Sequence, residues 1–235
     1  NSLTFQQNSG QLLFAGPTKL SRWEKNFSST IDPQTLITAG HGRWNLNSGT
    51  IAAVGPIIAN QSNGRQLTAA SMQGNTTKNF LDLKAPVQFK LEDDKAVVDA
   101  GETRWDFEQN QLSSKAPVSA SLTKGEVHGV GFIIDIPSNT LMISDSCNVA
   151  QPNKNLSANR CSWNWKNDLL TAAGHVNLKE TGSDQVKRAD QMQGEFNPDG
   201  SIRFSPSQNR VKTQIKLDSG KNKDINQKRP SQVQF

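Results

Sequence analysis

The chain repeats itself about every thirty residues, and this repeat constrains the fold more than any other feature. The segments Thr38–Leu46, Asp99–Phe107 and Ser157–Trp165 each contain an alanine, four further residues and then a tryptophan. Intermediate copies fall between them. Six anchors, spaced by 31, 30, 29, 29 and 31 residues, are Ala39, Ala70, Ala100, Gly129, Ala158 and Ala189. Because thirty residues at about 3.3 Å each make two strands and two turns, each unit is predicted to be a hairpin that needs neighbours.

Side-chain alternation predicts that these strands have one apolar and one polar face. Successive residues of a strand point to opposite sides of a sheet, and Trp105 and Phe107 alternate with Arg104 and Asp106. The run Val130–Ile136 is predicted to continue the apolar side through Val130, Phe132, Ile134 and Ile136. No segment keeps apolar residues at helical spacing for three turns. We therefore expect an all-β, elongated, antiparallel protein, with its clearest strands at 43–46, 86–91, 103–107, 127–136, 141–144, 162–165 and 210–217.

Composition and charge limit the classes of protein to which the chain can belong. The 235 residues are 34% hydrophobic with a mean hydropathy of −0.63, which fits a thin, extended fold with much exposed surface. The net charge of +5 is too scattered to predict a nucleic-acid-binding face. Part of the excess lies in Lys221, Lys223, Lys228 and Arg229, so we expect a repeat-built β unit over residues 1–219 and a basic tail over 220–235.

Catalytic and metal-binding motifs are not recognisable, which favours a protein that is not an enzyme. His41, His128 and His175 lie in different repeats without a second ligand at metal-binding spacing, and His41 is on the polar side of its strand. The pair of glycines around Val130 precedes a strand, whereas a dinucleotide-binding loop needs a following helix. The acidic run Glu92–Asp94 is interpreted as a solvated turn.

Two cysteines, Cys147 and Cys161, flank a turn-rich segment that could fold back as a hairpin. A disulfide would suggest an exported protein, because disulfides persist in oxidising compartments. Two buried free thiols fit the sequence as well, so both states stay open.

The apolar face is interpreted as the lining of a lipid-binding groove, although an ordinary sandwich core gives the same alternation. Gly40, Gly42 and Gly101 lie near the tryptophans and are expected to leave space that a compact core would fill. The predicted lining consists of Trp44, Leu46, Leu83, Val87, Phe89, Trp105, Phe107, Val118, Phe132, Ile134, Trp163 and Trp165. A carbohydrate-binding or adhesive β-repeat protein and a purely structural β scaffold are the alternatives from other classes.

Several short motifs occur in an order that resembles a known family. The segment Ala100–Trp105 is followed by Gln111–Ser114, by Pro117-Val118, by Val127–Phe132 and, further on, by Ala189–Gly194. This order is similar to the LptC family of periplasmic lipopolysaccharide-export proteins, within the wider OstA/LptA group. The likeness extends from about residue 36 to residue 205.

The resemblance implies an open β-jellyroll of two antiparallel sheets whose apolar interior carries the acyl chains of lipopolysaccharide. It further implies a periplasmic bridge that receives this lipid from an inner-membrane ABC transporter of the LptB/LptF/LptG type and passes it toward the outer membrane. An LptA-like protein would be the partner, bound by edge-strand pairing, and an N-terminal helix ahead of Asn1 would tether the chain to the inner membrane. Neither a cofactor nor a catalytic residue is expected. Because repeats continue from Cys147 to Phe204, beyond the best-matching portion, a soluble LptA-type bridge stays open as well.

Overall fold

The computed structural model describes residues 2–22, 33–182, 186–196, 202–205 and 212–214, most of which lie in antiparallel strands. A single 3-10 turn, Glu92–Asp94, interrupts them. The strands are β1 Ser2–Gln6, β2 Gln11–Ala15, β3 Thr18–Arg22, β4 Thr35–Ala39, β5 His41–Asn45, β6 Thr50–Gln61, β7 Gln66–Asn75, β8 Phe80–Lys84, β9 Val87–Lys90, β10 Ala96–Ala100, β11 Thr103–Asp106, β12 Gln111–Leu122, β13 Gly125–Asp135, β14 Thr140–Gln151, β15 Lys154–Ala158, β16 Arg160–Asn164, β17 Leu169–Glu180, β18 Val186–Glu195, β19 Ile202–Ser205 and β20 Lys212–Gln214. The predicted all-β class is confirmed.

The strands form one antiparallel meander that is folded over along its middle. Strand β6, for example, pairs with β5 through residues 51–54 and with β4 through residues 58–61. Strands β7, β12, β14, β17 and β18 change partners in the same way, whereas β13 keeps β12 and β14 as partners on both sides of its register shifts. Two facing layers result. The front layer contains β1, β2, β5, β8, β11, β16 and β19, the back layer contains β3, β4, β9, β10, β15 and β20, and the long strands belong to both.

The thirty-residue repeat is the spacing of the bends at which strands pass from the back layer to the front layer. Ala39, Ala100 and Ala158 end β4, β10 and β15, directly before the next strand begins in the front layer. Gly129 lies at the register shift of β13. The sequence therefore predicted the unit length correctly, and the structure adds that its anchors mark bends.

Prolines mark several of the bends that run in the opposite direction. Pro56 lies inside the register shift of β6, Pro117 ends that of β12, and Pro86 separates β8 from β9. A ladder interrupted at a bend needs no N–H donor at that position, so proline fits there. The two Ala-Pro-Val segments, residues 85–87 and 116–118, therefore both lie at interruptions of the ladder.

Glycines allow the chain to bend and to change which side faces inward. Gly55 has a φ of 92°, and a Cβ atom on it would lie 3.1 Å from the Cα of Gly40, which separates β4 from β5. Gly131 has a φ of 69°. Because the bulge at Gly131 shifts the alternation, Val130 is 40% exposed on the outside while Phe132 is buried. The prediction that Val130 and Phe132 share the inner face is therefore wrong.

A disulfide joins β14 to β16 close to one of these bends. Cys147 and Cys161 are both buried, and their Cα atoms are 5.9 Å apart. Of the two states that the sequence left open, the structure contains the bridge. The predicted tail over residues 220–235 and most of the predicted strand 210–217 lie outside the described residues.

Candidate functional site

The apolar interior between the two layers is the candidate site, since it contains most of the predicted lipid-binding residues. Both layers contribute to one continuous core cluster. Ten of the twelve predicted residues are buried in it: Leu83, Val87, Phe89, Trp105, Phe107, Val118, Phe132, Ile134, Trp163 and Trp165. Trp44 is half-buried against the same cluster, and Leu46 is 47% exposed.

The interior is filled by side chains. A cavity of about 10 Å³ remains between Phe89 of the back layer and Trp105 of the front layer, which is room for about one water molecule. A Cβ atom on Gly42 would lie 2.7 Å from the Phe14 ring, and one on Gly101 would lie 2.7 Å from the Cβ of Ala116. The expectation that these glycines leave open space is wrong, because they let neighbouring chain segments approach closely.

Turns at the free margins of the two layers meet and close the interior. We call the turns 107–110 and 165–168 the front lip, and Arg22 with the turns 91–95 and 123–124 the back lip. The Arg22 guanidinium donates to the carbonyl oxygen of Phe107 at 3.1 Å and lies over the Phe107 ring at 4.9 Å. Lys124 pairs with Asp168 at 3.2 Å, with both side chains partly exposed.

Glu92 makes the most extensive contact across the lips. Its carboxylate accepts hydrogen bonds from Nε and Nη2 of Arg65, the latter at 3.0 Å, and from Nε1 of Trp165 at 2.8 Å. Lys95 donates to the carbonyl oxygen of Trp165 at 3.1 Å, and the Arg65 guanidinium lies 5.9 Å from the Trp165 ring centroid. A back-layer carboxylate therefore ties a front-layer tryptophan in place.

The environment of Glu92 favours its charged form. Burial alone would raise the pKa of this carboxyl, but hydrogen bonds from Arg65, from its own backbone and from Trp165, together with the Arg65 charge, hold the pKa below its ordinary value. The interpretation of Glu92–Asp94 as a solvated turn holds for Asp93 and Asp94, which are exposed, and is wrong for Glu92. No local pattern could have indicated this role, because the partner Trp165 is 73 residues away.

The apolar face comes into contact with solvent at the N-terminal end of the front layer. Leu3 and Phe5 of β1 pair in register with Phe14 and Leu12, so they point to the inner side, yet they are 65% and 54% exposed. Together with Leu46 they form a surface that we call the mouth. Among the described residues β1 pairs with β2 alone, so one backbone edge of β1 is free beside the mouth.

The outer side of the front layer is polar and contains shallow depressions of about 530 to 720 Å³. Their cationic side chains are partly neutralised, since Lys84 pairs with Glu102 and Arg104 forms a bidentate pair with Asp82. The Asp82 carboxylate raises the pKa of Arg104 through these hydrogen bonds.

In the described part of the chain the histidines lie apart from one another, and no metal-binding group is found. His41, His128 and His175 are exposed in separate strands, and His128 contacts Glu126 at 3.3 Å. No group of three His, Cys, Asp or Glu side chains that could hold a metal ion occurs among residues 2–22, 33–182 and 186–196. In the same described residues no helix has the length and apolar character to cross a membrane.

Comparison with known proteins adds one structural likeness. No protein-family model matches the chain, and no curated protein matches it. The crystal structure of LptH, the LptA-homologous periplasmic component of the lipopolysaccharide transport device from Pseudomonas aeruginosa, is similar over 78% of this chain and 95% of that chain. The identity is 11% and the TM-score 0.27, values at which the likeness carries no argument about function.

Proposed function

We propose that the protein binds the acyl chains of lipopolysaccharide between its two β layers and serves as a periplasmic bridge on the route to the outer membrane. One observation carries the proposal. The apolar inner face of a folded β meander reaches solvent at the mouth, directly beside the free edge of β1. The order of motifs that resembles the LptC family and the OstA/LptA group supports the same function.

Binding requires the two layers to part, because the interior is filled in the closed form. The lips are the natural place for this movement, since side chains join them while the opposite margin is continuous backbone. Each bend is a point where the ladder is already interrupted, so the layers can rotate there with little loss of backbone hydrogen bonds. Acyl chains would then replace the contacts that the layers make with each other.

Transfer would use the free edge of β1. An exposed strand can add a strand of another protein through main-chain hydrogen bonds, and the neighbouring Leu3 and Phe5 would extend the apolar path into that partner. We propose an LptA-like protein as this partner and an inner-membrane ABC transporter of the LptB/LptF/LptG type as the source of lipid. The Cys147–Cys161 bridge is consistent with the oxidising periplasm.

A second candidate is a structural or carbohydrate-binding scaffold. The filled interior and the polar depression around Arg43, Asn75 and Asp82 on the outer side of the front layer favour it. A competition experiment separates the candidates. A fluorescent acyl probe is bound to the protein, and intact lipopolysaccharide, its deacylated polysaccharide and free lipid A are each added as competitors.

Lipid A and intact lipopolysaccharide should both displace the probe, while the deacylated polysaccharide should not. Direct binding of the polysaccharide without probe displacement would instead favour carbohydrate recognition. No binding of the probe, of lipid A or of the polysaccharide would leave the structural scaffold and refute the proposed function.

A further inference from the structure

Trp163 carries a buried hydrogen-bond donor that has no partner. Its side chain is 3% exposed, and its indole Nε1 finds no acceptor within hydrogen-bond distance. Trp165, two residues further on, donates its own indole N–H to Glu92 at 2.8 Å. Buried donors in native proteins are nearly always paired, so an unpaired one calls for a physical explanation.

The side chains around Trp163 are apolar, and this limits the kinds of ligand that could offer an acceptor to its indole N–H. The rings of Trp165 and Phe196 have centroids 6.3 Å and 5.9 Å from that of Trp163. Leu141 and Leu170 are its register partners on the two neighbouring strands. A group that reaches the indole N–H must therefore combine an oxygen acceptor with an apolar body.

The position of Trp163 relative to the lips indicates how such a group would arrive. Trp165 belongs to the front lip and is held there by Glu92 and Lys95 of the back lip. Asp168, on the same turn as Trp165, is held by Lys124. Parting of the lips would release Trp165 from its back-lip partners, and the Trp163 ring lies next to it.

We infer that the indole N–H of Trp163 binds the carbonyl oxygen at the head of an acyl chain. This inference rests on the proposed function and adds a specificity-determining residue to it. An ester or amide carbonyl satisfies the donor while its hydrocarbon chain continues along the apolar interior. A plain alkyl chain of the same length leaves the donor unpaired, so the site distinguishes acyl from alkyl ligands.

Trp44 provides a related donor at the other end of the front layer. It occupies the same template position as Trp163, and its indole Nε1 is also buried without a partner. Trp105, the remaining template tryptophan, is not among the buried side chains with an unpaired nitrogen. It is 4% exposed and therefore offers a matched control at the same face of the sheet.

The test compares two glucosides that differ in one carbonyl group, a dodecanoyl ester and a dodecyl ether, both below the concentration at which they form micelles. Affinities are measured for the wild-type protein, for Trp163→Phe and for Trp105→Phe. We expect the wild type to bind the ester roughly fivefold to tenfold more tightly than the ether. Because Trp105 also lines the interior, Trp105→Phe should weaken the binding of both ligands by a similar factor and keep this ratio. Trp163→Phe should bind both with similar affinity. An unchanged ester preference in Trp163→Phe would overturn the inference and leave the proposed function standing.

A second measurement uses the wild-type protein and so does not depend on how the variants fold. The five tryptophans give five indole N–H resonances, and that of Trp163 is assigned through its proximity to the Phe196 ring. The ester should move this resonance downfield and slow its exchange with solvent, and the ether should do neither. Equal shifts with both ligands would refute the carbonyl contact. Failure of both ligands to bind the wild type would overturn both the inference and the proposed function.

Discussion

Replacing Glu92 by glutamine should lower the free energy of unfolding, because it weakens contacts that hold the two lips together. Glutamine keeps the size of the side chain, but its amide NH₂ faces the Arg65 guanidinium, which is 9% exposed and has only donors to offer. The variant loses charge-assisted hydrogen bonds from Arg65 and weakens the one from Trp165. Since hydrogen bonds to charged groups contribute about 1.5–3 kcal/mol and the site is partly exposed, we expect a loss of about 2–3 kcal/mol. For a chain of this length the melting temperature should fall by roughly 5–10 °C.

The pH dependence of this loss follows from the lowered pKa of Glu92. A carboxyl whose pKa is lowered by folding stabilises the protein above its unfolded-state pKa, and this contribution disappears as the pH falls through the folded-state value. The difference between wild type and Glu92→Gln should therefore be constant near neutral pH and shrink in acid below about 4.5.

Glu102→Gln is the matched control, because the Glu102 side chain is 69% exposed and pairs with an exposed lysine on the outer surface. Such pairs contribute at most about 1 kcal/mol. Both variants are compared by thermal unfolding monitored by circular dichroism. If Glu92→Gln loses no more stability than Glu102→Gln, the contacts of Glu92 with Arg65 and Trp165 do not hold the layers together and the reasoning is wrong.

Three further perturbations test other parts of the structure. Replacing Cys147 and Cys161 by alanine should lower the free energy of unfolding by about 3 kcal/mol, as expected for a closed loop of this size. Reductant should then no longer change the melting temperature. An unchanged stability would show that the bridge does not form. Gly55→Ala should cost about 1 kcal/mol more than Gly64→Ala, because both glycines have positive φ but only Gly55 has a neighbouring backbone within 4 Å that an added methyl group would crowd. Equal denaturant midpoints would contradict the close packing at the bend. Lys124→Ala should keep the free energy of unfolding within about 1 kcal/mol of the wild-type value but speed the uptake of an acyl probe in stopped-flow fluorescence. An unchanged uptake rate at low salt would argue against uptake through the lips.

The sequence was a good guide to the fold because the repeat is local and regular. The Ala39 and Ala100 anchors and the alternation around Trp105 are visible within single strands, so the unit length and the inner side could be predicted. Alternation fails across a bend, however. At Gly131 the chain adds a residue with positive φ, and Val130 moves to the outside.

The candidate site was predicted only in part, since its closure depends on contacts between distant turns. The buried positions of Phe89, Phe132 and Trp163 follow from alternation, and Leu46 departs from it because the strand ends at Asn45. The pairing of Glu92 with Trp165 arises only when the meander folds over. The residue pattern of one strand does not indicate which turn of the other layer that strand will contact.

The central claim is that acyl chains occupy the interior between the layers. Site-specific photo-crosslinking to lipopolysaccharide tests it most directly, with a photoreactive amino acid placed in turn at Phe89 and Phe132 on the inner side and at Arg104 and Asn164 on the outer side. The account predicts adducts at Phe89 and Phe132 that are lost when deacylated polysaccharide replaces the lipid. Adducts at Arg104 and Asn164 alone would contradict it.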